Sequence, residues 1–229
     1  MTGLQRAVVA GAIGRHHVLL VGAADARLEA VARRLAEILP PLLERERREV
    51  AVVREAAGFT AADYPARAAH DDRPYRSPHY TLSPTGMAGG RHVGEITLAH
   101  HGVLMLADMP MFSRAALEPM VAAMRDRIVT VWRGDVSRTW PADFQLVATS
   151  TDCPCGRPGG HCHCDGRDRE RWVRRLRQIL AYVDMVIPVS RADADALLEL
   201  PVDVLCDRVR DGRRTTSQAA CRLAHFRLR

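Results

Sequence analysis

The sequence predicts an α/β fold in which a mainly parallel sheet is covered by helices on both faces. Apolar runs of strand length alternate with segments of helical periodicity along the 229 residues, and this order of elements builds such a sheet. Hydrophobic residues make up 47% of the chain, as in an ordinary packed core, and aromatic residues only 5%. Aliphatic side chains must therefore supply most of the core volume. The length fits one α/β domain, or one domain with a small appendage.

Three short, mainly apolar runs have the length of buried strands and are too short for helices. They lie at 17–21, 102–107 and 144–148. A hairpin is predicted at 128–141, because Gly134-Asp135 separates two β-prone runs. Residues 60–95 are rich in Pro, Gly and His and are predicted to form a long loop. Residues 151–166 are predicted to form a second loop, which contains four cysteines.

Apolar residues that recur at intervals of three and four positions predict the helices. In the helix predicted at 26–39, Asp25 stands at the N-cap position and Pro40-Pro41 ends the helix. Its apolar face consists of Leu28, Val31, Ala32, Leu35 and Leu39. The other predicted helices lie at 4–14, 42–57, 113–126 and 168–182, with short helices from residue 190 onward.

The first strand, its turn and the following helix are laid out like a phosphate-binding loop. Gly22 begins the turn directly after the strand. A working loop reads G-x-x-x-x-G-K-[ST], in which the Lys binds the β- and γ-phosphates and the hydroxyl binds Mg²⁺. Here the last three positions are Arg27, Leu28 and Glu29, and all 33 residues in the Lys and Arg count are Arg. The layout of a nucleotide-hydrolysing domain is therefore present without the groups that carry out hydrolysis.

The chain carries a net charge of +6, which is compatible with an anionic partner such as nucleic acid. The alternative is a GC-rich genome that encodes Arg in place of Lys. No apolar run reaches the roughly 18 residues of a membrane span, and residues 1–15 lack the apolar region of a secretory signal. We therefore expect a cytoplasmic protein without a membrane partner.

Four cysteines lie close together in the second predicted loop, which points to a metal site. Tetrahedral Zn²⁺ takes four sulfur or nitrogen ligands, so we predict one structural Zn²⁺ bound by the four thiolates. The C-x-C spacing is tighter than the usual C-x2-C, and free thiols in a flexible loop or a redox role are the alternatives. His79, His100 and His101 are expected to make structural hydrogen bonds rather than to bind metal. The predicted zinc ligands are Cys153, Cys155, Cys162 and Cys164.

Several stretches, taken in order, resemble one family. They include R-P-Y-R-S-P-H at 73–79, G-E-I-T-L-A-H at 94–100, W-P-A-D-F-Q-L-V-A at 140–148 and C-P-C-G at 153–156. Together with 17–22, 32–35, 38–42 and 102–112, they resemble the AAA+ module of magnesium-chelatase subunit I-type proteins, in the competence-associated, ComM-like branch.

The resemblance covers about 4–190, with a weaker similarity to the family's C-terminal helical lid at 205–229. It implies an AAA+ P-loop-type fold with a β-hairpin insertion and a truncated lid. The expected division is an AAA+ α/β core at 1–190 and a partial lid at 191–229. We expect no counterpart of the family's amino-terminal domain in this chain.

The phosphate loop departs from the family pattern. The family reads G-P-P-G-S-G-K-T, whereas residues 22–29 read G-A-A-D-A-R-L-E. Asp25 and Arg27 replace two glycines that let the backbone approach phosphate closely. Leu28 replaces the Lys, and Glu29 places a carboxylate where it would repel a triphosphate. The loop that begins at Gly22 is therefore predicted to be vestigial, with Asp25 and Glu29 satisfying the helix dipole.

The second nucleotide motif is also altered. The family strand ends L-D-E-L-P-E-F, and residues 106–112 read L-A-D-M-P-M-F. Ala107 replaces the metal-supporting Asp, and Asp108 is a vestigial counterpart of the catalytic Glu. Thr151 replaces the sensor Asn, and Tyr182 replaces the Arg that reaches a neighbour's nucleotide. Losing an arginine finger alone costs about 10³ to 10⁵ in rate. Because the loop Lys and the metal-supporting Asp are lost as well, we expect neither ATP hydrolysis nor tight binding of ATP and Mg²⁺.

Arginines are concentrated in the predicted hairpin and in the helix at 168–182. In the resembled family, such a hairpin faces a pore that threads DNA, so these residues are candidates for DNA contact. The alternative is a solvated helix face whose arginines pair with Asp168 and Glu170. The candidate residues are Arg133, Arg138, Arg171, Arg174 and Arg175.

We therefore predict a non-hydrolysing AAA+ module that acts as a structural or regulatory subunit. Its expected partner is a protein, in a homo- or hetero-oligomeric ring beside an active paralogue, with DNA as a second partner. The alternative is an ATP-binding motor of the magnesium-chelatase or ComM type that tolerates these losses.

Overall fold

Apolar strands alternate with amphipathic helices along the residues that the structure, a computed structural model, describes: 1–59, 73–133, 135–157 and 161–215. The helices are α1 Gly3–Gly14, α2 Leu28–Glu37, α3 Glu44–Ala56, α4 Pro84–Ala88, α5 Glu95–Leu98, α6 Arg114–Asp126, α7 Gly166–Leu180, α8 Arg191–Leu198 and α9 Val202–Thr215. The strands are β1 Val18–Gly22, β2 Tyr75–Arg76, β3 Val103–Leu106, β4 Ile128–Arg133, β5 Val136–Pro141, β6 Gln145–Thr151 and β7 Met185–Pro188.

Five strands share one sheet in the order β2-β3-β6-β1-β7. Strand β1 pairs in parallel with β6 on one side and with β7 on the other, so Val18 lies opposite both Val147 and Met185. Strand β2 pairs in parallel with β3. Strands covered on both faces are continuously apolar, as β3 is, with every residue buried. The predicted α/β fold with a mainly parallel sheet flanked by helices is confirmed.

The predicted hairpin is also present. Strands β4 and β5 pair antiparallel, from Ile128 opposite Pro141 to Arg133 opposite Val136. The Thr130 and Thr139 hydroxyls lie 3.1 Å apart across the pair, which adds a cross-strand hydrogen bond. Gly134, at the predicted turn, lies outside the described residues.

The chain forms two compact units. The first comprises residues 1–40 and 106–110 and the described part of 146–229. Within it, α1 packs against α2 and α9, and α2 packs against α8. Its core contains the fully buried Val8, Leu19, Leu20, Val31 and Leu35.

The second unit comprises residues 41–105 and 111–145, as far as they are described. Within it, α6 packs against α4 and β4. Its core contains the fully buried Met87, Ile96, Leu104 and Met120. The domain boundary expected at residue 190 stays a prediction.

Side-chain caps explain where several helices begin. The hydroxyls of Thr2, Ser83, Ser113 and Ser190 accept backbone N–H groups from the first turns of α1, α4, α6 and α8. Each satisfies an amide that the helix itself leaves unpaired. A small hydroxyl residue before an apolar periodic segment is typical of a helix start, although the segment after Ser83 was predicted to be a loop.

Two regions differ from the prediction. The loop expected at 60–95 contains β2, α4 and the start of α5, while residues 60–72 lie outside the described part. Strand β7, which pairs with β1, was missed, because its four residues are too short to predict without knowing their partner. Among the described residues, no helix combines the length and apolar character needed to cross a bilayer.

Candidate functional site

Strand β1 delivers the chain to the loop that resembles a phosphate-binding loop. At Gly22, an added Cβ would lie 2.4 Å from the carbonyl oxygen of Val189, so only glycine fits there. The loop then folds on itself, because the Ala26 N–H donates to the Ala23 carbonyl at 2.9 Å. Helix α2 begins at Leu28.

The prediction that Asp25 caps α2 is wrong. The N-cap is Arg27, in the left-handed region at φ 56°, and its side chain makes no capping hydrogen bond. Because Ala23–Ala26 form a turn, the helix begins two residues later than expected, and the exposed Asp25 precedes the N-cap. Glu29 does lie in the first turn, where a carboxylate is favourable to the helix dipole.

Leu28 occupies the position where a working loop carries Lys. Its side chain is 8% exposed, and its Cδ2 would lie 3.3 Å from a Cβ built on Gly22. An apolar side chain therefore fills the space beside the strand end. A cation directed at a phosphate is not available from this position.

The guanidinium of Arg27 is directed to helix α8. Its Nη1 lies 2.8 Å from Oδ1 of Asp195, and Nε of Arg191 lies 2.9 Å from Oδ2 of the same carboxylate. Arg27 first, and then Arg191, lowers the pKa of Asp195. Arg191 also donates to the Asp25 carbonyl at 3.0 Å. Asp195 and Arg191 were not predicted as site residues, since the contact joins positions 168 residues apart.

The counterpart of the second nucleotide motif lies at the end of β3. Asp108 has a left-handed backbone, with φ 48°, and its N–H donates to the Thr149 hydroxyl at 3.1 Å. Its side chain is exposed, and the neighbouring Ala107 offers no metal ligand. Tyr182, at the position of the family's arginine, is 41% exposed. None of these positions carries a guanidinium or ammonium group that could bind a phosphate.

The end of β6 is held by its own hydrogen bonds. The Thr151 hydroxyl donates to the Cys153 carbonyl at 2.8 Å. The Thr151 carbonyl accepts the indole N–H of Trp172, on α7, at 2.9 Å. Thr151 thus joins β6 to α7 in the place of the family's sensor Asn.

The four cysteines predicted as zinc ligands converge. The Cys153 sulfur lies 3.2 Å from that of Cys155 and 3.4 Å from that of Cys162. The sulfurs of Cys155 and Cys162 are 3.7 Å apart, and all four, including that of Cys164, lie within 4.8 Å of one another. We call these four residues the cysteine cluster.

The thiols of the cysteine cluster differ in pKa because their surroundings differ. Burial, and then the hydrogen bond with Cys155, raises the pKa of Cys153 to about 12. The backbone N–H of Arg157, and then the Cys153 side chain, lowers the pKa of Cys155 to about 6. Such mutual stabilisation of a thiolate by neighbouring thiols is typical of cysteines that ligate metals or react.

The cysteine cluster touches the altered phosphate loop through its backbone. The Ala24 N–H donates to the Gly156 carbonyl at 2.8 Å. Gly156 has φ +66°, and an added Cβ would lie 3.1 Å from the Ala24 Cβ. Gly156 therefore has little room for a side chain on the side that faces Ala24.

The basic residues proposed for DNA contact have different surroundings. Arg138 is exposed on β5, and Arg174 is exposed on α7. Arg171 lies 3.7 Å from Asp168, which fits the alternative of a solvated, paired helix face. Arg175 donates to the Pro110 carbonyl at 3.2 Å. The side chain of Arg133 lies outside the described part.

A second group of metal-type ligands occurs in the other unit. Nε2 of His100 and Nε2 of His101 lie 3.3 and 2.6 Å from the same Glu49 oxygen. Nδ1 of His100 accepts the Asp143 N–H at 3.0 Å, so its Nε2 carries the hydrogen and has no free electron pair for a metal. Burial, the largest cause, lowers the pKa of His100. The histidines make the structural hydrogen bonds expected of them.

The family follows from a match over most of the chain. A family model for "Magnesium chelatase, subunit ChlI" matches residues 2–197. The chain belongs to this family. The resemblance stated from the sequence is confirmed, and the AAA+ fold that it implies agrees with the observed sheet.

Two bacterial proteins are similar to about three quarters of this chain. The uncharacterised protein YifB of Salmonella typhimurium is 35% identical over 169 residues, which are 72% of this chain and 33% of that protein. The competence protein ComM of Haemophilus influenzae is 30% identical over 176 residues, 75% of this chain and 34% of that protein. The chain thus spans about a third of the length of these relatives.

Among solved structures, NtrX from Brucella abortus in complex with ADP is similar to this chain. The TM-score is 0.45 at 16% sequence identity, over 81% of this chain and 34% of that one.

Proposed function

We propose that this chain is an AAA+ module that does not hydrolyse ATP and that acts as a structural or regulatory subunit. The observation that carries the proposal is the buried Leu28 beside Gly22. Phosphoryl transfer in such folds depends on a cation and a metal ion that neutralise the transferred group. An apolar side chain in this position supplies neither.

Other positions support the same proposal. Glu29 adds negative charge where a triphosphate would lie, and Ala107 removes the carboxylate that supports the metal ion. Arg27, the one new cation in the loop, is paired with Asp195 at 2.8 Å. The exposed Asp108 keeps a carboxylate near the catalytic position, without a metal ligand in Ala107 beside it.

One observation favours the rival function, an ATP-binding motor subunit of the magnesium-chelatase or ComM type. Helix α2 begins without a side-chain cap, contrary to the sequence prediction. Amide N–H groups at an uncapped helix N-terminus attract anions. A chain that binds nucleotide without hydrolysing it would share the absence of hydrolysis with the first function and nucleotide binding with the second.

Phosphate release by the purified chain with ATP and Mg²⁺, with and without DNA, separates the two functions. We expect no release above background. Turnover near about 1 s⁻¹, the scale of ordinary enzymes, that disappears in Asp108→Asn would establish the rival function instead. An Asp126→Asn variant is a matched control, because Asp126 is an exposed acid that pairs with Arg125 and lies outside both motifs.

The proposed partners are a protein, within a homo- or hetero-oligomeric ring, and DNA. Exposed Arg138 and Arg174 support DNA contact, whereas the pairing of Arg171 with Asp168 weakens it. Native mass spectrometry of the complex from its source cell would identify protein partners. Affinity for DNA that falls steeply with salt, and falls further in Arg174→Ala, would support the DNA contact.

A further inference from the structure

The cysteine cluster has the geometry of a tetrahedral metal site. Zn²⁺ binds thiolates at about 2.3 Å, which places sulfur atoms about 3.8 Å apart in a tetrahedron. The sulfurs of Cys155 and Cys162 are already 3.7 Å apart, and those of Cys153 and Cys155 are 3.2 Å apart. Small side-chain rotations therefore suffice to surround an ion. Four thiolates would close its coordination shell, as in structural zinc sites.

The surroundings of the cysteine cluster are ordered by hydrogen bonds. The Gly156 N–H donates to the Cys153 carbonyl at 3.0 Å, which closes a tight turn between two of the ligands. We call residues 153–157 the cysteine turn. Beyond Cys164, the Asp165 side chain accepts the Asp168 N–H at 2.7 Å in the first turn of α7. An ion in the cluster would thus tie the end of β6 to the start of α7.

A cation nearby would balance the charge of the loaded site. Four thiolates and one Zn²⁺ carry a net charge of −2. Arg169 is the nearby cation, and its interaction with the Cys162 side chain raises the pKa of its guanidinium. Such contacts around the ligands hold thiolates in place and favour metal binding.

The cysteine turn is also the segment that touches the phosphate loop. The Gly156 carbonyl accepts the Ala24 N–H at 2.8 Å, and a Cβ added at Gly156 would lie 3.1 Å from the Ala24 Cβ. The family pattern has Pro at the position of Ala24, and proline has no backbone N–H, so the Ala24 amide is a donor that the working loop lacks. The cysteine turn supplies its acceptor.

We propose that the cysteine cluster binds one Zn²⁺ and that the ion holds the cysteine turn against the altered phosphate loop, so that metal occupancy controls whether the Ala24 amide stays hydrogen-bonded. Metal binding releases the thiol protons to solvent and makes four Zn–S bonds. The ion acts on the loop only through the backbone of the cysteine turn. The proposal does not depend on whether the chain hydrolyses ATP.

The first experiment tests the ion. The full chain is purified without chelator, and its zinc is measured and then replaced by Co²⁺. We expect one zinc per chain and, with Co²⁺, the visible and near-ultraviolet absorption of a tetrahedral thiolate site; both should be lost in Cys164→Ser. A chain that takes up no stoichiometric zinc, or a Co²⁺ spectrum without thiolate bands, would overturn the metal site.

The second experiment tests the coupling, by amide hydrogen exchange resolved at Ala24 in zinc-loaded and zinc-stripped full chain. Zinc should slow exchange at Ala24 about tenfold, the scale of one net hydrogen bond. Gly156→Val keeps all four thiols but puts a β-branched residue at φ +66° against Ala24. Gly166→Val is the matched control, because nothing lies within 4 Å of a Cβ at that position.

The outcomes separate the two parts of the proposal. Zinc binding in Gly156→Val with fast exchange at Ala24, and wild-type behaviour in Gly166→Val, would support both parts. Stoichiometric zinc that leaves Ala24 exchange unchanged in the wild type would overturn the coupling alone. If Gly156→Val does not fold, the comparison of wild type with Cys164→Ser, each with and without zinc, decides the same question.

Discussion

Replacing Leu28 by Lys tests the central claim that the phosphate loop is now part of the packed structure. Leu28 is 8% exposed, and burying a Leu side chain is worth about 1.5–3 kcal/mol. The Lys stem can keep part of that contact while its ammonium turns to solvent. We therefore expect Leu28→Lys to lose about 2 kcal/mol of unfolding free energy, which lowers Tm by about 4–8 °C in a chain of this size.

The same variant should not regain nucleotide binding. Glu29 remains in the first turn of α2, and Ala107 still provides no support for a metal ion. Thermal melting and titration of a fluorescent ATP analogue follow the two effects in parallel. Leu28→Met is the control for side-chain volume, with an expected loss below about 1.5 kcal/mol. Micromolar binding by Leu28→Lys without loss of stability would refute the reasoning, since the loop would then still be a phosphate site.

Three further predictions concern stability. Asp25→Ala should cost about 0.5 kcal/mol or less in chemical denaturation, because Asp25 caps nothing, whereas Ser113→Ala should cost about 1 kcal/mol as a lost cap; equal costs would contradict the helix start seen here. Because the pKa of His100 is lowered in the native state, the unfolded chain binds a proton at this side chain below about pH 6.5 while the native state does not. The free energy of unfolding should therefore fall as the pH drops through about 6.5. In His100→Gln this part of the pH profile should flatten, and an unchanged slope would argue against a buried neutral imidazole. Trp172→Phe should cost about 0.5–1.5 kcal/mol, the net worth of the lost indole hydrogen bond, because the Ser150 hydroxyl still donates to the Thr151 carbonyl at 2.9 Å; a cost above about 3 kcal/mol would contradict this sharing of the carbonyl.

The sequence predicted the family and the altered motif positions, because those depend on residue type at a fixed spacing. Leu28, Glu29 and Ala107 differ in kind from the Lys, hydroxyl and carboxylate that the chemistry requires. It did not predict the partners of the altered loop. Asp195 is far away in sequence, and its role depends on how α8 packs against α2.

The start of α2 shows why local signals can mislead. Asp25 has a residue type that is common at N-caps, and it directly precedes the segment with helical apolar periodicity. Whether a residue caps a helix depends on the backbone angles at which the helix begins, and a turn over Ala23–Ala26 moved that point to Arg27. The sequence alone does not predict this turn.

By itself the sequence determined the α/β class, the hairpin and most helix positions, because hydrophobic periodicity and caps act over a few neighbouring residues. It also determined which phosphate-binding groups are absent and that four thiols lie close along the chain. The tertiary structure decided the pairing of β7 with β1, the convergence of the four sulfurs and the contact of Gly156 with Ala24. These features join residues that are separated along the chain, and only the packing of the fold brings such residues together.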